Sequence, residues 1–143
     1  IDTKAKRINE APMFGLFVDS EFPSVDPRVS CRQNERLCLL THNQNKPTTH
    51  MNLNEVSMYS YKADQLQSYR YPDSEIPEEH IYVPDLGRSA EQGGWVIGTA
   101  LDWQAKQTKL KLVNADHVAG GPIASSTLPY ALPLGLHGKF VHA

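Results

Sequence analysis

Short apolar runs separated by prolines and glycines are the feature that most constrains the fold of this chain. The 143 residues include 10 prolines and 9 glycines, and most of them lie between the runs. Residues 94–102 are largely apolar with β-branched side chains, which is typical of a buried strand. Residues 108–113 alternate polar and apolar side chains, as in a strand with one face in solvent. The polar connection at 103–107 is short enough for the two strands to form a hairpin.

The same pattern predicts further strands, and no segment shows the sustained 3.6-residue periodicity of an amphipathic helix. One helical turn is expected at Asp116 to Val118, ended by the sequence Gly-Gly-Pro at 120–122. Many short strands at regular spacing favour a sandwich, a barrel or a propeller. The further predicted strands are Arg36 to Thr41, Glu55 to Tyr61, Leu66 to Tyr71, His80 to Pro84, Ile123 to Leu128 and Lys139 to Val141.

The composition indicates one globular domain and excludes several classes of function. A chain of this length with 40% hydrophobic residues can bury a single core. The net charge of −2 gives no electrostatic basis for binding nucleic acid or an anionic membrane. No apolar run approaches the ~20 residues of a membrane span. Cys31 and Cys38 are expected to be reduced thiols of a cytoplasmic protein, because their spacing fits neither a disulfide framework nor a zinc site.

The first residues of the chain have a pattern that is typical of the interior of a strand rather than of its beginning. Residues Ile1 to Lys4 resemble the end of a strand that enters a turn, and Arg7 to Glu10 resemble the start of the next strand. No signal-peptide pattern is present in this stretch. We therefore expect the sequence to be a piece of a longer protein.

The residues around His137 are the strongest candidates for a functional site. His137 lies between Gly135 and Gly138, with Leu136 and Phe140 as apolar neighbours. Glycines allow the backbone to approach a crowded centre closely, and neutral imidazole is the commonest protein ligand of a metal ion. From the local sequence alone, a buried and hydrogen-bonded histidine at a strand end remains an open and more common alternative.

Three segments, in this order, resemble one protein family. Residues 15–28 contain Glu-Phe-Pro-Ser-Val-Asp-Pro-Arg, similar to a segment Glu-Phe-Pro-x-(Ile/Val)-Asp-Pro-Arg. Residues 91–102 resemble an acidic-glycine turn with its following apolar strand, and residues 133–140 resemble a terminal Pro-x-Gly-Phe-His-Gly segment. The family is the carotenoid cleavage oxygenases. The sequences at 98–102 and 115–122 are most similar to its bacterial lignostilbene dioxygenase branch.

The resemblance implies a fold and a place within it. Members of this family are seven-bladed β-propellers with a mononuclear non-haem iron on the axis, held by four histidines from separate blades. Residues 1–143 would form the C-terminal portion of such a domain. The implied fold class is all-β, a partial seven-bladed propeller of about two C-terminal blades with antiparallel sheets, and the chain would supply the last iron ligand. Residues 42–71 match the family poorly.

The resemblance also assigns roles to individual residues. His137 would be the Fe(II) ligand and the catalytic residue. Leu136 stands where the family usually has Phe, and Leu136 and Phe140 are the candidates to line the substrate pocket. Glu21 and Glu91 match family glutamates that accept the second N–H of ligating imidazoles and so fix their tautomer. For Glu91 the match is weaker, because the acidic residues beside the turn in relatives are replaced here.

Two considerations bear on these carboxylates. A lone glutamate is most often a surface carboxylate, but Phe22 and Pro23 beside Glu21 indicate a packed segment, in which a carboxylate needs a partner. The sequence Glu-Glu-His at 78–80 could chelate a metal in principle. Adjacent strand residues point to opposite faces, so residues 78–80 are interpreted as the start of an ordinary strand.

The activity implied by the resemblance is the oxidative cleavage of a conjugated C=C bond by Fe(II) and dioxygen into two carbonyl products. The apolar substrate would be an apocarotenoid or a lignostilbene-type alkene. This chain supplies one ligand, so we expect it to be inactive alone and to self-associate through exposed strand edges and blade faces. A second hypothesis is a non-catalytic β-rich interaction module of propeller ancestry. An unrelated β-sandwich would require all three matches to be accidental.

Overall fold

Two antiparallel sheets follow one another along the chain in a computed structural model that describes residues 4, 19–43, 53–135 and 137–141. Each sheet is a four-stranded meander in which neighbours in sequence are neighbours in space, the arrangement of a propeller blade. The first sheet contains β1 (Ser20–Ser24), β2 (Arg36–Thr41), β3 (Glu55–Ser60) and β4 (Gln65–Arg70). The second contains β5 (Glu75–Val83), β6 (Trp95–Asp102), β7 (Gln107–Asn114) and β8 (Pro122–Thr127).

Helical structure in the described residues is limited to two 3-10 turns, Pro27–Val29 and Val118–Gly120. The carboxylate of Asp26 caps the first turn by accepting a hydrogen bond from the Arg28 amide at 2.9 Å. The second turn lies close to the expected position, and its Val118 is fully buried. No helix in this part of the chain is long and apolar enough to cross a membrane.

Most of the predicted strands are confirmed, and the exceptions have physical reasons. The predictions for β2, β3, β4, β6, β7 and β8 agree with the structure to within about one residue at each end. The sequence did not reveal β1, because its register is irregular between Glu21 and Ser24 and Phe22 has a φ of 55°. The predicted strand from Lys139 to Val141 is wrong, since these residues have irregular backbone. Of the strands expected at Ile1 to Lys4 and Arg7 to Glu10, only Lys4 lies within the described residues.

The predicted start of β5 is also wrong by five residues, since the strand begins at Glu75 rather than His80. Pro77 lies within the strand, where a proline is unusual because it cannot donate to the hydrogen-bonded ladder. β5 is the edge strand of its sheet, and an edge strand tolerates a residue that has no amide hydrogen to donate. The strand therefore continues through the proline.

The core lies between the two sheets and is assembled from both. Along β6, burial alternates strictly, with the even-numbered residues from Val96 to Asp102 on the buried face. The two cysteines are unpaired, and burial raises the pKa of the Cys38 thiol to about 12. The main cluster consists of Cys38, Leu40, Val56, Met58, Tyr71, Tyr82, Val96, Ala100, Val113, Ala115 and Val118.

A polar network joins the first sheet to the loop between β5 and β6. Arg28 donates through Nη1 to the carbonyl oxygens of Asp85 at 3.2 Å and Arg88 at 2.8 Å. The Asp26 carboxylate accepts hydrogen bonds from the Arg28 guanidinium and from the Glu91 amide. Burial raises the pKa of Asp26, but these hydrogen bonds outweigh the burial and hold the pKa below its ordinary value. The network ties the two sheets together close to one of the predicted site residues.

Candidate metal-ligand site around His137

A β-bulge in β5 brings the side chains of two adjacent glutamates against one and the same neighbouring segment of the chain. Pro77 pairs with Ala100 and His80 pairs with Gly98, so Glu78 and Glu79 together lie opposite Thr99. Oε1 of Glu78 accepts a hydrogen bond from the Gly135 amide at 2.6 Å, and Oε2 of Glu79 accepts one from the Gly138 amide. The interpretation of residues 78–80 as an ordinary strand start is therefore wrong, because the bulge removes the alternation of faces on which it relied.

His137 lies directly beside the second of these glutamates. Its Nδ1 is 3.3 Å from Oε1 of Glu79, and the Phe22 ring makes an edge contact with the imidazole at a centroid distance of 6.0 Å. A carboxylate only accepts hydrogen bonds, so Nδ1 carries the proton in the neutral ring and the lone pair remains on Nε2. An imidazole bonded in this way to a carboxylate is the usual arrangement of a metal ligand with its outer partner. Nε2 of His137 could therefore serve as one ligand of a metal ion.

The environment of His137 differs from the alternative that the local sequence left open. The side chain is 79% exposed and lies in irregular backbone, so it is not a buried histidine at a strand end. A Cβ at Gly135 would come no closer than 3.8 Å to Glu78, and a Cβ at Gly138 would meet Ile81 at 3.4 Å. The described residues do not crowd these glycines, and their role in a close approach stays a prediction.

The described residues around His137 do not by themselves form a metal site. Within residues 19–43, 53–135 and 137–141, no group of three or more His, Cys, Asp or Glu side chains could hold a metal ion. A metal bound by Nε2 of His137 would need further ligands from outside this part of the chain.

The two glutamates predicted from the resemblance occupy different surroundings. Glu21 is exposed on β1 and lines a cavity of about 420 Å³, together with Phe22, His42 and Glu78. Oε1 of Glu91 instead accepts hydrogen bonds from the backbone amides that precede and begin β2, at 2.7 and 2.9 Å. These contacts stabilise the junction between the sheets. The assignment of either glutamate as an imidazole partner stays a prediction.

The two candidate pocket residues are only partly observable. Leu136 lies outside the described residues. Phe140 is 42% exposed and lines an apolar cleft of about 450 Å³ on the outer face of the second sheet, beside Trp95, Ile97 and Leu112. This cleft is distinct from the cavity that Glu21 lines, and its use by a substrate stays a prediction.

A buried histidine below the bulge was missed by the sequence reasoning. His80 is 1% exposed, and its Nδ1 donates to the Glu78 carbonyl oxygen at 2.6 Å. Its Nε2 then accepts a hydrogen bond from the Tyr71 hydroxyl at 2.6 Å. Burial lowers the pKa of His80 to about 4, so the ring is neutral at pH 7. A signal was present in the sequence, since a proline inside a strand often marks a bulge that brings neighbouring side chains together.

Comparison with known families places the chain within one of them. The family described as RPE65, retinal pigment epithelial membrane protein, matches residues 2–142. The match covers nearly the whole chain, so the chain belongs to this family, the carotenoid oxygenases that its motifs resemble.

Two characterised relatives are similar to the chain in sequence. Lignostilbene-alpha,beta-dioxygenase isozyme III of Sphingomonas paucimobilis is 26% identical over 91 residues, which are 64% of this chain and 19% of the relative. Isoeugenol monooxygenase of Pseudomonas nitroreducens is 21% identical over 148 aligned residues, covering 99% of this chain and 30% of the relative. The chain thus spans less than a third of the length of these relatives.

Solved structures of oxygenases share the fold. The cobalt-substituted apocarotenoid oxygenase (ACO) of Synechocystis superposes with a TM-score of 0.79 at 20% identity, covering 87% of this chain and 26% of the larger protein. The lignostilbene dioxygenase of Pseudomonas brassicacearum gives a TM-score of 0.78 at 23% identity, with 84% and 26% covered. At this level of identity, the likeness establishes the two-blade propeller fold alone.

Proposed function

We propose that residues 1–143 are the C-terminal portion of an Fe(II)-dependent dioxygenase that cleaves a conjugated C=C bond into two carbonyl products. The observation that carries this proposal is the Glu79 carboxylate 3.3 Å from Nδ1 of His137, which leaves Nε2 available to a metal. Family membership and the similarity to a lignostilbene dioxygenase support the reaction class. The substrate would be an apolar, extended alkene, either an apocarotenoid or a lignostilbene-type compound, with dioxygen as the second substrate.

Each residue then has a defined task. His137 ligates the iron through Nε2, and Glu79 holds the ring by accepting the Nδ1 proton. Glu21 accepts an N–H from an imidazole supplied by the rest of the protein, which its exposed position on the cavity wall permits. For Glu91 the same role is open only to Oε2, because Oε1 already accepts two amides. When bound, the iron would supply the activation of dioxygen.

The isolated chain is proposed to lack activity, because one imidazole cannot retain iron usefully. Its exposed apolar surface, which includes Phe140 and Trp95, would instead favour self-association. The unpaired thiols of Cys31 and Cys38 suit a reducing compartment, and we propose the cytoplasm.

Metal content and turnover of the full-length protein test the proposal. We expect His137→Ala to abolish iron binding and cleavage of stilbene and apocarotenoid substrates, with an unchanged circular dichroism spectrum. Glu79→Gln should lower iron affinity or rate by roughly 10–100-fold, the usual effect of losing an outer carboxylate, and Glu21→Gln should act similarly.

Glu35→Gln is the matched control, because this glutamate is exposed just before β2 and the proposal gives its side chain no role. It should leave iron binding unchanged. Retained iron and turnover in the His137→Ala protein would refute the ligand assignment. A full-length protein that binds no iron at all would favour the non-catalytic interaction module.

A further inference from the structure

We propose that Glu78 is a positioning residue that holds the segment carrying His137 in place. Its hydrogen bond to the Gly135 amide fixes the backbone two residues before His137 and so keeps the imidazole on Glu79. This inference rests on the proposed function of His137 as a metal ligand.

The segment that follows β8 depends on side chains for its position. Residues 131–135 and 137–141 are exposed and belong to no strand or helix. The Leu132 amide donates to Thr108 Oγ1 at 2.9 Å, the Gly135 amide to Glu78 at 2.6 Å, and the Gly138 amide to Glu79. Of these three bonds, the one to Glu78 is the last before His137 along the chain.

Glu78 is itself held rigidly, which suits a positioning role. It is only 8% exposed, and its Oε2 accepts a hydrogen bond from Thr99 Oγ1 at 2.5 Å. Its backbone carbonyl accepts the Nδ1 proton of His80, whose Nε2 accepts the proton of the Tyr71 hydroxyl. Tyr71 directly follows β4, so a continuous hydrogen-bonded path runs from the first sheet to the segment that carries His137.

A positioning role for Glu78 predicts a different experimental result from a purely structural role. A residue that only supports the fold changes the stability of the protein, whereas a residue that aims the ligand changes metal affinity in protein that is still folded. Removal of the Glu78 carboxylate frees the Gly135 amide and releases the segment close to His137. Glutamine can preserve the support, because its amide oxygen accepts from Gly135 and its amide nitrogen donates to the Thr99 hydroxyl.

The test is a titration of the full-length, metal-free protein with Co²⁺, in which the visible absorption of the bound ion reports its coordination. We expect Glu78→Ala to weaken Co²⁺ affinity by about 10-fold, at the lower end of the effect of losing an outer-shell partner, and to alter the absorption spectrum. Glu78→Gln should restore both to within about 3-fold of wild type. Wild-type affinity in Glu78→Ala, or equal losses in the alanine and glutamine variants, would overturn the proposal.

A second pair of variants decides the matter if Glu78→Ala fails to fold. Tyr71→Phe removes the hydroxyl at the start of the path and should weaken Co²⁺ binding a few-fold. Tyr59→Phe is the control, because it removes a comparable tyrosine hydroxyl that donates to Asp64 in a turn of the first sheet. Equal losses of affinity in the two tyrosine variants would indicate general destabilisation and would overturn the proposal. Wild-type Co²⁺ binding by His137→Ala would instead refute the proposed function itself.

Discussion

Gly98 leaves the space that the buried His80 ring occupies, and its replacement by alanine tests that packing directly. The two residues are paired across β5 and β6. A Cβ at position 98 would lie 2.4 Å from Cγ and 2.5 Å from Nδ1 of His80, whereas non-bonded carbon atoms pack at about 3.5–4.0 Å. The ring is hydrogen-bonded at both nitrogens, so it cannot move aside without breaking these bonds.

We expect Gly98→Ala to lower the free energy of unfolding by about 1–5 kcal/mol. Overpacking of a rigid core costs about 1–3 kcal/mol. Displacement of the ring adds about 1–3 kcal/mol for each buried polar group left without its partner. The lower backbone entropy of alanine in the unfolded chain returns only about 0.4–1 kcal/mol. The net loss is a large fraction of the ~5–15 kcal/mol that stabilises a typical domain.

Urea denaturation of the full-length protein, followed by tryptophan fluorescence, measures the loss. Gly135→Ala is the control, because its nearest contact would be 3.8 Å away, and it should change the free energy of unfolding by less than about 0.5 kcal/mol. In a His80→Ala background, Gly98→Ala should cost less than about 1 kcal/mol, since the clash is gone. Wild-type stability of Gly98→Ala, or an equal cost in both backgrounds, would refute the reasoning.

Two further predictions concern pH and association. Burial lowers the pKa of His80 to about 4, against ~6.5 in the unfolded chain, so the unfolded state binds more protons between these values. The stability that the neutral His80 ring contributes is fully present above about pH 6.5 and falls by up to about 3 kcal/mol as the pH approaches 4. Denaturation of His80→Gln at several pH values should show a weaker pH dependence of the free energy of unfolding. An unchanged pH dependence contradicts this account. The 143-residue chain should form dimers or larger species in sedimentation velocity, and Trp95→Lys or Leu110→Lys on the exposed sheet face should reduce them. A clean monomer of the unmodified chain at high concentration argues against association.

Strands were predictable where their signal is local. In β7 one face is buried, and the alternation of polar and apolar side chains that this requires is visible in the sequence itself; β6 is recognisable as a largely apolar run with β-branched side chains. β1 and the first part of β5 lack such a signal, because irregular register interrupts the alternation in both strands. The position of a strand within the sheet decides whether it can contain a proline, since Pro77 is compatible with β5 only because that strand lies at an edge.

The candidate site was predictable in part. The glycines and apolar residues around His137 singled it out, and the motif order identified the family. The sequence did not reveal the carboxylate beside His137, since Glu79 forms that contact across 58 residues of sequence. Glu91, which the motif suggested as one of the imidazole partners, binds amides at the junction of the sheets with one of its oxygens.

The amino-acid sequence alone determined the all-β class and the family and singled out the candidate histidine, because strand patterns and short motifs are written in consecutive residues. Only the tertiary structure decided which carboxylate meets His137. That choice depends on one extra residue in β5 and on the return of the chain after β8 to lie beside it. Pro77 is a local signal that a bulge can form in β5. The return of the chain is a property of distant backbone segments packed together, and no local pattern of side chains encodes it.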